Sequence, residues 1–168
     1  LLHQVPALEI LAGRCMWSLF FVALLIVVMG KLDAFKAEAR EIFSSTKSAL
    51  TMLTAAFTVS INWGIFIWAV EDGRIVETSM GYYINPLVSV LFGMFFLGER
   101  LDKLQMIAVA CACLGIATMI VKNGSLPWVS VSLAATFAFY GLLKKIIKVN
   151  AMTSIMLETL IISPLALG

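Results

Sequence analysis

The sequence predicts an all-α membrane protein, a polytopic bundle of about six transmembrane helices. Three observations carry that expectation. Hydrophobic residues make up 61% of the 168 positions and charged residues only 13%, against about 25% charged in a soluble domain. Apolar runs of about 20 residues recur along the chain, enough to cross a hydrocarbon core of roughly 30 Å at about 1.5 Å rise per residue. Short polar linkers separate them, which makes successive helices antiparallel neighbours.

The predicted spans are Ile10–Met29, Ala49–Val70, Thr78–Leu97, Leu104–Val121, Leu126–Leu143 and Ala151–Gly168. Strands of a membrane barrel need only about 9–11 residues of alternating polarity, and these runs are longer and continuously apolar. Helices also satisfy their own backbone hydrogen bonds in lipid. The linker Lys31–Ser48 is the longest, and its DAFKAEAREIF segment reads as a short amphipathic helix lying at the interface. The third and fourth spans are joined by Gly98-Glu99-Arg100, a charged turn that stops one helix and anchors it at the membrane surface.

Lys and Arg are unevenly shared between the two sides. The first, third and fifth linkers hold Lys31, Lys36, Arg40, Lys47, Arg100, Lys103, Lys144, Lys145 and Lys148. The other side holds Arg74, Lys122 and, near the start of the first span, Arg14. Cytoplasmic loops carry the excess of basic residues, so the first, third and fifth linkers are expected to face the cytoplasm. Both chain ends then lie outside. The chain starts at Leu1 with no basic segment before the first apolar run, unlike a signal peptide, and it is expected to be a fragment. Asn123-Gly124-Ser125 matches a glycosylation acceptor but lies against the membrane, as a chance match would.

Polar residues recur at helical spacing inside four spans. Thr51, Thr54, Thr58 and Asn62 form one stripe. Gly81, Asn85, Ser89 and Gly93 form a second, Ser132, Thr136 and Tyr140 a third, and Ser154 and Glu158 share a face of the last span. The fourth span is apolar apart from Cys111, Cys113 and Thr118 and reads as a packing helix. Any one stripe reads equally well as a helix–helix contact. Several in one small bundle favour a shared central polar cavity, although the glycine-bearing row reads as a packing groove.

Arg14 and Glu158 are ionisable groups within spans, which makes each a functional candidate. The alternative for Arg14 is snorkelling to the outer interface. Glu158 is a candidate proton or cation site, or else half of a structural pair with a helix outside this chain. Pro86 removes a helical hydrogen bond and frees the Tyr82 carbonyl, predicting a kink flanked by Tyr82, Tyr83 and Asn85. That kink reads either as a gating point or as a structural bend. Trp68 and Trp128 fit an interfacial aromatic belt, whereas Trp63, deeper and next to Asn62, is a candidate cavity wall. The three cysteines, Cys15, Cys111 and Cys113, read as small packing residues, and His3 has no partner, so neither a disulfide framework nor a metal-ligand cluster is expected. Catalytic motifs are missing: there is no Gly-x-Ser-x-Gly elbow, no His-Glu-x-x-His and no phosphate-binding glycine loop.

The pattern of Asn85-Pro86 within a span, then Leu97-Gly98-Glu99-Arg100-Leu101, then another span resembles the repeat signature of EamA-type drug/metabolite transporters. The segments VPALEILAGRCMWS, INWGIFIWAV, GYYINPLVSVLFGMFFLGERL, SLPWVSVSLAATFAFYGLLKK and the late LET are similar to the RarD-like branch, named for chloramphenicol sensitivity. The resemblance implies a ten-helix fold of two inverted five-helix repeats around a central pathway. Residues 1–125 would be the remainder of the first repeat, lacking its first helix, and residues 126–168 the start of the second. Where RarD-like proteins often carry His before the arginine of the second helix, this chain has Gly13. The expected function is secondary transport of a small organic solute or drug across the bacterial inner membrane, with proton or ion coupling and no bound cofactor. The expected partners are membrane lipid and the solute, with no nucleic acid. The pathway candidates are Arg14, Asn62, Trp63, Tyr82, Tyr83, Asn85 and Glu158. The alternative is a non-transporting membrane assembly or interaction protein, or an inactive truncated relic.

Overall fold

The computed structural model describes residues 7–123, 127–147 and 149–167, and every regular element among them is an α-helix. His3, Gly124, Ser125 and Lys148 lie outside the described residues. The helices are α1 (Ala7–Val28), α2 (Leu32–Ser44), α3 (Thr46–Glu71), α4 (Ile75–Leu97), α5 (Lys103–Asn123), α6 (Trp128–Ile147) and α7 (Ala151–Leu167). Five of them, α1, α3, α4, α5 and α6, are long and apolar enough to cross a membrane, and α7 is a shorter apolar helix. The chain is an all-α multi-pass membrane protein.

α3 is the central post. It supplies Met52, Ala56 and Ala69 to three separate buried clusters. Ala56 packs with Cys15 of α1 and Ile162 of α7. Met52 packs with Ile42 of α2 and Leu157 of α7. Ala69 packs with Val129 and Leu133 of α6. The amphipathic α2 turns Phe35, Ala39 and Ile42 towards this core while Lys36 and Arg40 stay exposed, the period of a helix lying on a surface. At the far end of α3, Gly73 takes a left-handed conformation (φ 75°) and the Arg74 N–H returns to the Ala69 carbonyl at 2.8 Å, satisfying an acceptor that the helix leaves open.

α4 and α6 make the most extensive helix pair, and small residues let them approach closely. Ser130 Oγ donates to the Glu77 carbonyl at 2.6 Å. A Cβ placed on Gly81 would lie 3.3 Å from both Leu133 Cβ and the Ser130 carbonyl oxygen. The row expected to be a packing groove is therefore one in its first turn. At its other end Gly93 lies beneath the Glu99 carboxylate, which would come within 2.5 Å of a Cβ there. Gly98, also left-handed (φ 66°), ends α4 and lets Glu99 fold back, and Glu99 Oε1 accepts from Lys145 Nζ of α6 at 2.8 Å. The charged turn does more than stop a helix: it links α4 to α6.

Two expectations change. The fourth span does not pack inside; among the described residues α5 lies behind α4, packs substantially against it alone, and leaves Cys111 and Cys113 exposed. Of the three cysteines only Cys15 is buried. The fifth span runs on to Ile147, so Lys144 belongs to the last turn of α6, where a cation complements the helix dipole, rather than to a loop.

Because Gly81 lies against the Ser130 backbone and the Leu133 Cβ, Gly81→Leu should cost about 1–3 kcal/mol through overpacking, and Gly81→Ala less. Thermal unfolding in detergent micelles measures both, and an unchanged midpoint for the leucine variant would contradict the close α4–α6 approach.

Candidate functional site

The polar stripe of α3 divides into two roles. Thr51, Thr54 and Thr58 donate their hydroxyls to carbonyls one turn back, those of Lys47, Leu50 and Thr54, at 2.7–2.8 Å. They satisfy themselves within their own helix. Asn62 instead reaches across. Its Nδ2 donates to the Leu133 carbonyl at 2.9 Å and to Thr136 Oγ1 at 2.7 Å, and it is buried. The neutral amide thus clamps α3 to α6 in the middle of the bundle.

Beside this clamp lies a cavity of about 100 Å³ lined by Arg14, Asn62, Trp63, Tyr82 and Asn85, with Phe66, Thr78, Gly81, Leu133 and Phe137 completing the wall. The Arg14 guanidinium stands 5.0 Å from the Trp63 ring centre, a cation–π contact. Phe66 and Tyr82 meet edge to face at 6.1 Å. A second cavity of about 320 Å³ holds Glu158, with Tyr140, Cys15, Ser18, Ser60 and Thr159 among its walls. Trp63 and Phe137 line both cavities and stand between Arg14 on one side and Glu158 on the other.

Glu158 is buried and fully engaged. Tyr140 Oη donates to its carboxylate at 3.0 Å, Ser154 Oγ at 2.8 Å and Lys144 Nζ at 3.0 Å. Lys144 also donates to Ser154 Oγ. The partner expected in a helix outside this chain is therefore Lys144, within it. Continuing the spacing of Ser132, Thr136 and Tyr140 by four residues reaches Lys144. Counting it as a loop cation concealed that signal.

Five of the sequence candidates, Arg14, Asn62, Trp63, Tyr82 and Asn85, come together on one cavity. Glu158 falls in the adjoining one. Tyr83 and Pro86 are set apart: they line a groove of about 520 Å³ between α4 and α5, because adjacent helical residues point about 100° apart. α4 runs unbroken through Pro86. Sequence reasoning passed over Phe66 and Phe137, aromatic residues in apolar runs that nothing in the sequence distinguishes from lipid-facing ones. Trp68 and Trp128 pair at 5.6 Å near the ends of their helices, with Arg74 4.9 Å from the Trp128 ring.

The sequence model of the EamA-like transporter family matches residues 1–121. The chain belongs to the EamA-like transporter family. Among relatives, an uncharacterized transporter of Bacillus subtilis, YojE, is 44% identical over 170 residues, covering all of this chain and 56% of that protein. Protein RarD of Escherichia coli is 39% identical over 166 residues, 99% of this chain and 55% of that protein. The chloramphenicol-sensitive protein RarD of Pseudomonas aeruginosa is 38% identical over 169 residues, all of this chain and 56% of that protein. This EamA-like chain spans about half the length of these relatives. No solved structure matches it.

Removing one member of a buried ion pair strands the other charge, which costs about 3–5 kcal/mol. Lys144→Met and Glu158→Gln should each destabilise the bundle by that order, while the double variant should lie much nearer the parent. A double-mutant cycle on thermal unfolding in detergent checks the coupling; additive losses would show that the pair is not formed.

Proposed function

We propose that this EamA-like chain forms part of a secondary transporter for a small organic solute or drug, working by alternating access, and that it is not an enzyme. The observation that carries the reading is the pair of adjoining cavities between α1, α3, α4, α6 and α7, one bearing Arg14 and the other Glu158. Spans that only packed would fill this space. The names of its relatives, an uncharacterized transporter and a chloramphenicol-sensitive protein, support the same class. In this reading Asn62, Trp63, Tyr82 and Asn85 line the pathway, and Tyr83 and Pro86 belong to a flexing segment of α4. The chain holds the remainder of a first repeat in residues 1–125 and the start of a second in 126–168, in a bacterial inner membrane. The family match, residues 1–121, falls inside the first of these units.

Glu158 is the proposed coupling group. A carboxylate that exchanges a proton or cation must give up Lys144, Tyr140 and Ser154 as partners, and those contacts then differ between the two states of the cycle. Cys15 and Ser18 of α1 and Ser60 of α3 are the polar and thiol groups facing that cavity from the other packed helices.

Proteoliposomes carrying the protein should accumulate radiolabelled chloramphenicol or a small aromatic acid when a proton gradient is imposed. Glu158→Gln should lose the dependence on the gradient, and Lys144→Met/Glu158→Gln tests the same point without a stranded charge. Flux that follows the gradient in both variants would remove Glu158 from coupling, and an absence of flux for every solute would favour a non-transporting assembly protein. Orientation has its own check: a cysteine placed at Lys36 in a cysteine-free background should react with an impermeant maleimide in inside-out vesicles and stay protected in right-side-out cells.

A further inference from the structure

We propose that Arg14 anchors the anionic group of the solute, and that the solute is a small organic acid with a flat apolar or aromatic body; this rests on the reading of the two cavities as a solute pathway. The three ion pairs among the described residues are Arg74–Glu77, Lys144–Glu158 and Lys145–Glu99, and none involves Arg14. Yet Arg14 lies inside a span, about 10 Å from the start of α1, where a charge is costly unless it meets a partner or a polar cavity. Its guanidinium faces the Trp63 ring and lines the cavity.

The rest of the wall leaves Arg14 as the cationic feature. Both Nδ2 bonds of Asn62 go to α6, so that group holds the helices together. The acidic side chain of the neighbouring cavity, Glu158, is already neutralised by Lys144. An organic cation entering beside Arg14 would meet a like charge with no available carboxylate to offset it. An organic anion would meet a planar fork of donors that fits a carboxylate in bidentate fashion. Trp63, Phe66, Tyr82 and Phe137 offer ring faces and edges around that fork, which suits a flat ring rather than a flexible chain. Arg14 also touches Trp63, which lines both cavities, so occupancy by an anion changes the contact of the side chain that stands between them.

The test uses three probes that share a benzene ring and differ in charge: benzoate, benzyl alcohol and benzylamine. Equilibrium dialysis of radiolabelled benzoate is run against the full chain in nanodiscs of zwitterionic lipid. The parent should bind benzoate saturably, and unlabelled benzoate should displace it far better than the alcohol or the amine. Arg14→Gln should weaken binding by roughly tenfold or more, and Arg14→Lys should fall between, since it keeps the charge and loses the fork. Equal competition by benzylamine, undiminished binding by Arg14→Gln, or no saturable binding at millimolar benzoate would each overturn the inference. The competition arm needs no variant, so a misfolded Arg14→Gln does not decide it. The outcome is separable from that of the transport reading: flux of an amine without benzoate binding would sink this inference alone, and benzoate binding without flux of any solute would sink the transport reading alone.

Discussion

An ionised carboxylate cannot face hydrocarbon, and Glu158 inside α7 imposes that constraint on everything around it. Its solution takes Tyr140 and Lys144 from α6 and Ser154 from its own helix. Lys144 reaches the carboxylate only because α6 remains helical to Ile147, and Ser154 faces it because it precedes Glu158 by one turn. The pair therefore sets the relative position of α6 and α7. Through Leu157 and Ile162, which pack against Met52 and Ala56, it also ties α7 to the central α3.

α6 is where the other contacts converge. Along one helix, Ser130 bonds α4, Leu133 and Thr136 accept from α3, Tyr140 and Lys144 hold α7, and Lys145 reaches the turn after α4. In lipid there is no hydrophobic drive to push helices together, so association depends on close packing and on interhelical hydrogen bonds. α6 supplies both. Its small residues let α4 approach, and its polar row engages α3 and α7. Among the described residues α5 packs substantially against α4 alone, and it stays exposed.

The span pattern was legible because a bilayer demands length and apolarity, and both are written residue by residue. The gathering of Arg14, Asn62, Trp63, Tyr82 and Asn85 at one cavity was legible in outline, because polar and aromatic groups inside spans stand out against an apolar background. What was not legible depended on distance across the bundle. Nothing local shows that Thr51, Thr54 and Thr58 bond their own backbone while Asn62 bonds a helix more than 70 positions away. Tyr82 and Tyr83 look alike in sequence, yet one lines the cavity and the other the groove behind it. Lys144 was hidden by its neighbour: two adjacent lysines at a span's end read as one interfacial cluster, and only the tertiary fold separates them.

That separation bears on how such a bundle moves. Lys145 pairs with Glu99 where both side chains are about half exposed, and an exposed pair of this kind contributes at most about 1 kcal/mol. Lys144 pairs with a carboxylate that is only 7% exposed, where breaking the pair without a substitute strands a charge. The Lys145–Glu99 link therefore opens at little cost, and the close packing of α4 on α6 does not depend on it. Moving α6 away from α7, by contrast, is resisted until something else neutralises Glu158. A proton or a cation would do so, and the resistance then falls. Of the two adjacent lysines, Lys145 thus adds little to the close α4–α6 packing, while Lys144 makes the α7 side of α6 conditional on the charge state of one carboxylate. In the proposed transport cycle, that dependence is what would tie a solute step to an ion step.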